Sequence, residues 1–184
     1  MQRPILYIHG FASSGRSHKA TVLKAHFPEV YAPTLSHVPE LAIETLGEFV
    51  TALGRDPLLV GSSLGGFYAL HLSETLRLPA VLVNPVVHLN LPGDRLLGLH
   101  QSYFDGSRFE FTEVHLQSLA RFDSRTPDQS RLLLLLQMGD ELLDHRQTMR
   151  LLPDARRVVD PDGDHGFSHF ERRIPAVREF LESH

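Results

Sequence analysis

The stretch Leu-Leu-Val-Gly-Ser-Ser-Leu-Gly-Gly-Phe-Tyr-Ala-Leu, residues 58–70, decides how the chain is read. An apolar run reaches Val60, breaks at Gly61-Ser62-Ser63-Leu64-Gly65, and resumes with helical spacing. This is G-x-S-x-G with Ser63 at the centre, between a predicted strand and a predicted helix. In that context the serine occupies a strand-to-helix turn so tight that its backbone is strained, and only small residues fit two positions before and after it. The requirement separates the two serines. Ser63 is flanked at those positions by Gly61 and Gly65, whereas Ser62 has Val60 and Leu64. Other glycine-rich turns match less well, because the stretch lacks the lysine of a P-loop and the spacing of a dinucleotide-binding turn. Ser63 is therefore the candidate nucleophile, with Gly66 letting the helix lie close to the sheet.

Working outward, short apolar runs alternate with helical periodicity. Strands are expected at 5–8, 30–32, 58–60, 80–83, 131–138 and 156–160. Helices are expected at 17–27, from Pro39 to a stop at Gly54, at 64–76, 144–152 and the C-terminus. Pro39 suits a first helical position and Gly54 an exit. Strands without polar alternation are those of a parallel sheet covered on both faces. The expected fold is α/β: six mostly parallel strands with helices on both faces, in a single domain spanning 1–184. Residues 86–125 fit this rhythm poorly. They carry Gly93, Gly98 and Gly106 and one helix near 113–121, and read as a small cap-like insertion over the sheet.

Ligands of such sheets lie beyond the carboxyl ends of the strands. After the first strand come His9-Gly10-Phe11. An oxyanion requires two fixed donors, and the turn supplies the N–H of Leu64, the residue after the serine. The second is assigned to the Phe11 N–H, with Gly10 letting the loop turn inward and His9 holding it by hydrogen bonds. After the fifth strand comes Gly139-Asp140-Glu141-Leu142-Leu143-Asp144. Asp140 is the candidate acid and Asp144 the second choice, since Asp144 with Gln147 also forms a helix capping box. Glu141 is expected to point elsewhere. After the last strand, His165 stands between Gly163 and Gly166, where the chain order serine, acid, histidine places the base. His169 reads as a surface residue.

The same loop places Asp160, Asp162, Asp164 and Glu171 at the spacing of a calcium loop, but His165 replaces the glycine of its sharp turn. Ser168 with Glu171 instead suggests a second capping box.

The chain has 184 residues, a net charge of −4 and no cysteine. This excludes thiolate chemistry and disulfides, and no global field draws the chain to nucleic acid. No apolar run is long enough for a membrane span, and the N-terminal apolar stretch is too short for a signal peptide. A cytoplasmic location is expected, with no metal or organic cofactor.

The blocks Tyr7-Ile8-His9-Gly10-Phe11, Gly61-Ser62-Ser63-Leu64-Gly65-Gly66, Val83-Asn84-Pro85, Gly139-Asp140-Glu141 and Gly163-Asp164-His165-Gly166-Phe167 together resemble the YqiA/YcfP-like (UPF0227) family of small bacterial α/β-hydrolases, and within it the YqiA esterases. The resemblance spans nearly the whole chain in order and spacing, and is weaker over 86–125. It implies a minimal α/β-hydrolase acting on short acyl esters, extending to acyl-CoA thioesters, with Ser63 as nucleophile, Asp140 as acid and His165 as base. The implied partner is a small-molecule ester or thioester. A different serine-hydrolase chemistry on the same residues, or a binding protein that keeps the fold without turnover, are the alternatives.

Overall fold

Alternate residues of each central strand belong to different cores, and this organises the molecule. A computed structural model describes residues 3–89 and 96–184. In β1 (Ile5–Ile8), Leu6 and Ile8 face one side of the sheet while Ile5 and Tyr7 face the other. The same division runs through β3 (Leu58–Ser62), β4 (Ala80–Val83) and β7 (Leu132–Gln137). Successive side chains of a strand point to opposite faces, so a strand covered on both sides must be apolar throughout. The five consecutive leucines of β7 meet that demand.

With β2 (Val30–Tyr31) and β8 (Arg156–Asp160), these strands form a sheet in the order β2-β1-β3-β4-β7-β8. Every described pairing in it is parallel. Helices α2 (Pro39–Leu53) and α3 (Leu64–Leu76) cover one face, joined by α4 (Glu113–Leu119). Helices α1 (His18–His26) and α6 (Ile174–Glu182) cover the other. Helix α5 (His145–Leu151) lies between β7 and β8 in the chain. Pro39 opens α2, and Gly54 ends it in the left-handed conformation at φ 61°.

One element is added and two local expectations are corrected. Residues 98–111 form an antiparallel hairpin, β5 (Gly98–Gln101) and β6 (Arg108–Phe111), with His100 opposite Phe109. Asp144 caps α5 by accepting from the Arg146 N–H at 3.0 Å, one residue short of the Gln147 capping box. The Ser168 hydroxyl turns back to Asp164, so the following 3-10 turn starts from His169 without the expected box. Gly93 lies outside the described residues.

Candidate functional site

The strand β3 runs through Ser62 and stops where α3 begins, leaving Ser63 as the single residue of the turn. Its backbone adopts φ 56° and ψ −121°, a conformation that a residue with a side chain rarely holds. The surrounding backbone over-determines it. The Ser63 N–H donates to Val83 O at 3.0 Å, and Ser63 O accepts from Gly66 and Val86 N–H. A Cβ on Gly65 would lie 2.1 Å from Ile8 O, and one on Gly61 would lie 2.3 Å from Gly65 O. No other residue type fits either place without moving the backbone. Ser62 is buried in the strand and lies beside the turn, not at its apex.

The structure brings Ser63, His165 and Asp140 together across more than a hundred residues of chain. Ser63 Oγ is 2.9 Å from His165 Nε2, and His165 Nδ1 is 3.0 Å from each Asp140 carboxylate oxygen. The Asp140 side chain is 2% exposed and that of His165 18%. Asp140 Oδ1 also accepts the Leu142 and Leu143 N–H groups, each at 2.9 Å. Burial by itself raises the Asp140 pKa, but the His165 bond and the two main-chain donors outweigh it, and the carboxyl ends below its ordinary value. Asp144 is engaged elsewhere, with Arg146.

The loop carrying His165 is held by side chains to which the sequence reading gave no such role. Buried Asn84, at φ 39°, donates to Asp164 O at 2.9 Å and accepts the Gln137 N–H at 2.9 Å. Buried Gln137 accepts the Asp164 N–H and donates to Asp160 and to Ser168 O. Glu141 Oε2 accepts the His165 N–H at 2.9 Å, so this carboxylate does face the histidine loop. From α1, Lys19 donates to Gly166 O at 2.7 Å. Burial lowers the Lys19 ammonium to about 8, with Asp164 opposing the shift. The signal available in the sequence was a polar residue at the carboxyl end of two apolar strands, Asn84 after β4 and Gln137 in β7.

Phe11 and Leu64 both line a cleft of about 360 Å³ that contains Ser63 and His165. Neither main-chain N–H has an acceptor among the described residues. A Cβ on Gly10 would sit 3.6 Å from Ser63 Oγ, which measures how closely this loop approaches the serine. His9 holds the loop from behind. Its Nε2 accepts the Leu35 N–H at 2.9 Å, so the proton is on Nδ1, which donates to Gly10 O at 2.8 Å. Burial lowers the His9 pKa, against a smaller opposing effect of the Gly10 bond. The remaining walls are apolar, from Val86, Leu96, Leu142 and Leu143, with the His100 and Tyr103 rings from the hairpin side.

A separate recess of about 430 Å³, behind the histidine loop, includes neither Ser63 nor His165. Of the acids at calcium-loop spacing, Asp160 is paired with Arg173 and Gln137, and Asp164 accepts the Ser168 hydroxyl. Among the described residues no three acidic, histidine or cysteine side chains gather where a metal could be held. His169 is exposed and faces Glu171.

The model of an uncharacterised protein family, UPF0227, matches residues 4–182. The chain belongs to the UPF0227 family. A UPF0227 protein of Vibrio cholerae serotype O1 is 24% identical over 185 residues, covering 96% of this chain and 98% of its own. In structure, this UPF0227 chain is similar to a putative hydrolase from Agrobacterium vitis, with a TM-score of 0.76 at 17% identity, covering 98% of this chain and 88% of that one. It is also similar to a monoacylglycerol lipase from Paleococcus ferrophilus, with a TM-score of 0.74 at 16% identity, covering 100% and 96%. The fold is that of the α/β hydrolases. No helix among the described residues of this family member is long and apolar enough to cross a membrane.

Proposed function

We propose that the protein is a serine esterase that hydrolyses short-chain carboxylic esters through an acyl-enzyme. The observation that carries this is the unbroken hydrogen-bonded chain Ser63 Oγ–His165 Nε2, His165 Nδ1–Asp140, ending on a serine held at φ 56°. Ser63 Oγ attacks the ester carbonyl while His165 Nε2 takes its proton. Asp140 keeps the other imidazole proton on Nδ1 and stabilises the charged ring. The Phe11 and Leu64 N–H groups hold the developing oxyanion. His165 then protonates the departing alkoxide, and in the second half it deprotonates the water that releases the acid. Both halves balance without a cofactor.

The comparison structures named as a hydrolase and a lipase share this fold, which is consistent with ester hydrolysis. The largely apolar cleft favours a small-molecule substrate with a short acyl chain. The chain acts as one domain, 1–184, in which the insertion at about 86–125 is a small cap contributing Leu96, His100 and Tyr103 to the cleft wall.

The test is hydrolysis of p-nitrophenyl esters from acetate to palmitate, with an acyl-CoA panel beside it. Ser63→Ala is expected to lower kcat by about 10⁴-fold or more, and Ser62→Ala to leave it within about tenfold. Equal losses from the two variants would remove Ser63 from its role. A serine-dependent rate found only with acyl-CoA would replace the oxyester with a thioester as the bond cleaved.

A further inference from the structure

The two oxyanion donors are supported unequally. Leu64 is the first residue of α3, and its position follows from the helix and the Ser63 turn. Phe11 belongs to a loop in which Ala12 stands at φ 55° and whose strand side is secured by His9. Its far side meets the β5–β6 hairpin. That hairpin is two-faced. Leu99, Gln101, Arg108 and Glu110 point outward, with Leu99 80% exposed, while His100, Phe109 and Phe111 point inward.

All three inward rings meet the Phe11 ring edge-on, with centroids at 4.8 Å for His100, 5.3 Å for Phe111 and 5.5 Å for Phe109. Two further ties join hairpin and loop. The Tyr103 N–H donates to Ala12 O at 2.8 Å, and the Arg16 guanidinium lies over the Phe104 ring at 5.4 Å. Phe109 is backed in turn by the stacked ring of His37 at 4.8 Å.

We propose that the hairpin is a clamp on the oxyanion loop, with Phe109 as a positioning residue that fixes the Phe11 N–H through the Phe11 ring. This rests on the esterase reading, in which that N–H contacts the oxyanion. Phe109 does not line the cleft, so its effect on the reaction passes through the two lining rings it meets, Phe11 and, at 5.6 Å, His100. An oxyanion donor acts on charge that develops only in the transition state, so loosening it lowers kcat and spares KM. Losing such a donor costs about 10²–10³-fold, and a displacement near 1 Å about 10²-fold.

The test combines kinetics on p-nitrophenyl butyrate with amide hydrogen exchange at Ser13 and Tyr103, whose N–H groups bond Gly10 O and Ala12 O. Phe109→Ala is expected to lower kcat by about 10- to 100-fold with KM within about twofold. Exchange at the Ser13 and Tyr103 amides is expected to accelerate about tenfold while the amides of α3 stay unchanged. Phe109→Tyr, which keeps the ring, is expected to restore both. A Phe109→Ala protein that melts earlier but keeps kcat per folded molecule would overturn the clamp. A wild type without Ser63-dependent turnover refutes the esterase assignment instead. The exchange rates then decide the clamp alone: acceleration supports it and unchanged rates overturn it.

Discussion

Replacing Asp140 by Asn separates the electrostatic work of this residue from its structural work. The Asp140 carboxylate does two things at once, accepting the Leu142 and Leu143 N–H groups through Oδ1 and facing His165 Nδ1 with both oxygens. An Asn side chain can keep its carbonyl oxygen toward the two main-chain donors, which preserves the turn. Its NH₂ group then faces His165 Nδ1 and forces the imidazole proton onto Nε2. Nε2, 2.9 Å from Ser63 Oγ, then carries a proton aimed at the hydroxyl, and the ring can no longer act as a base. The expected loss is about 10⁴-fold in kcat, or about 5.4 kcal/mol of barrier at 1.36 kcal/mol per tenfold.

At neutral pH the Asn variant keeps the main-chain bonds but lacks the extra stabilisation that the charge gives. At acid pH the two proteins converge. The Asp140 pKa is depressed in the folded state, so its stabilisation is fully present above the ordinary carboxylate value and is lost as pH falls through the folded value. The Asn variant lacks this contribution and has a shallower acid limb. The assay is steady-state hydrolysis of p-nitrophenyl acetate at pH 7.5 alongside urea melts at pH 7.5 and pH 4. An Asn variant retaining a tenth of wild-type kcat would refute the tautomer argument. A variant unfolded at pH 7.5 would show instead that the Leu142 and Leu143 bonds need the charge.

Asn84→Ala removes the donor to Asp164 O and strands the buried Gln137 N–H. At about 1 kcal/mol for the Asp164 bond plus about 1–3 for the unsatisfied buried donor, urea melts should show a loss of about 2–4 kcal/mol. A loss below about 1 kcal/mol would mean that water replaces the amide. His9 is required as the neutral Nδ1–H tautomer, and burial holds its pKa below that of the unfolded chain. The unfolded state therefore takes up the proton first, and stability falls as pH drops below about 6.5 toward the folded value. Denaturant midpoints at pH 8 and 5.5 should fall further for wild type than for His9→Gln, and equal falls would contradict this role.

The parts of this molecule legible in the sequence are those governed by local rules. The leucines of β7 and the runs of β1 and β4 announce strands buried on both faces, because only apolar residues can occupy both sides of such a strand. Gly61 and Gly65 select Ser63 over Ser62 because a Cβ at either place strikes backbone. The β5–β6 hairpin was missed, although Arg108-Phe109-Glu110-Phe111 alternates with period two. Its partner 98–101 carries a glycine and two polar residues, and a two-stranded ribbon gains its stability from what it packs on, here Phe11. Asp140 and Glu141 illustrate the same limit. The sequence ranks them by position after Gly139, but which carboxylate meets the imidazole and which meets the His165 N–H depends on the direction of each side chain.

The sequence by itself determined the order of the six sheet strands and the helices between them, the strained turn and the residue types at each strand end, since these follow from periodicity and steric exclusion within a few residues. Only the tertiary structure decided that Ser63, His165 and Asp140 lie within hydrogen-bond reach, and that Asn84, Gln137, Glu141 and Lys19 hold the loop that makes this so. Those contacts join positions 24 to 147 residues apart. They depend on the register of parallel strands and the packing of two faces, which no local pattern encodes.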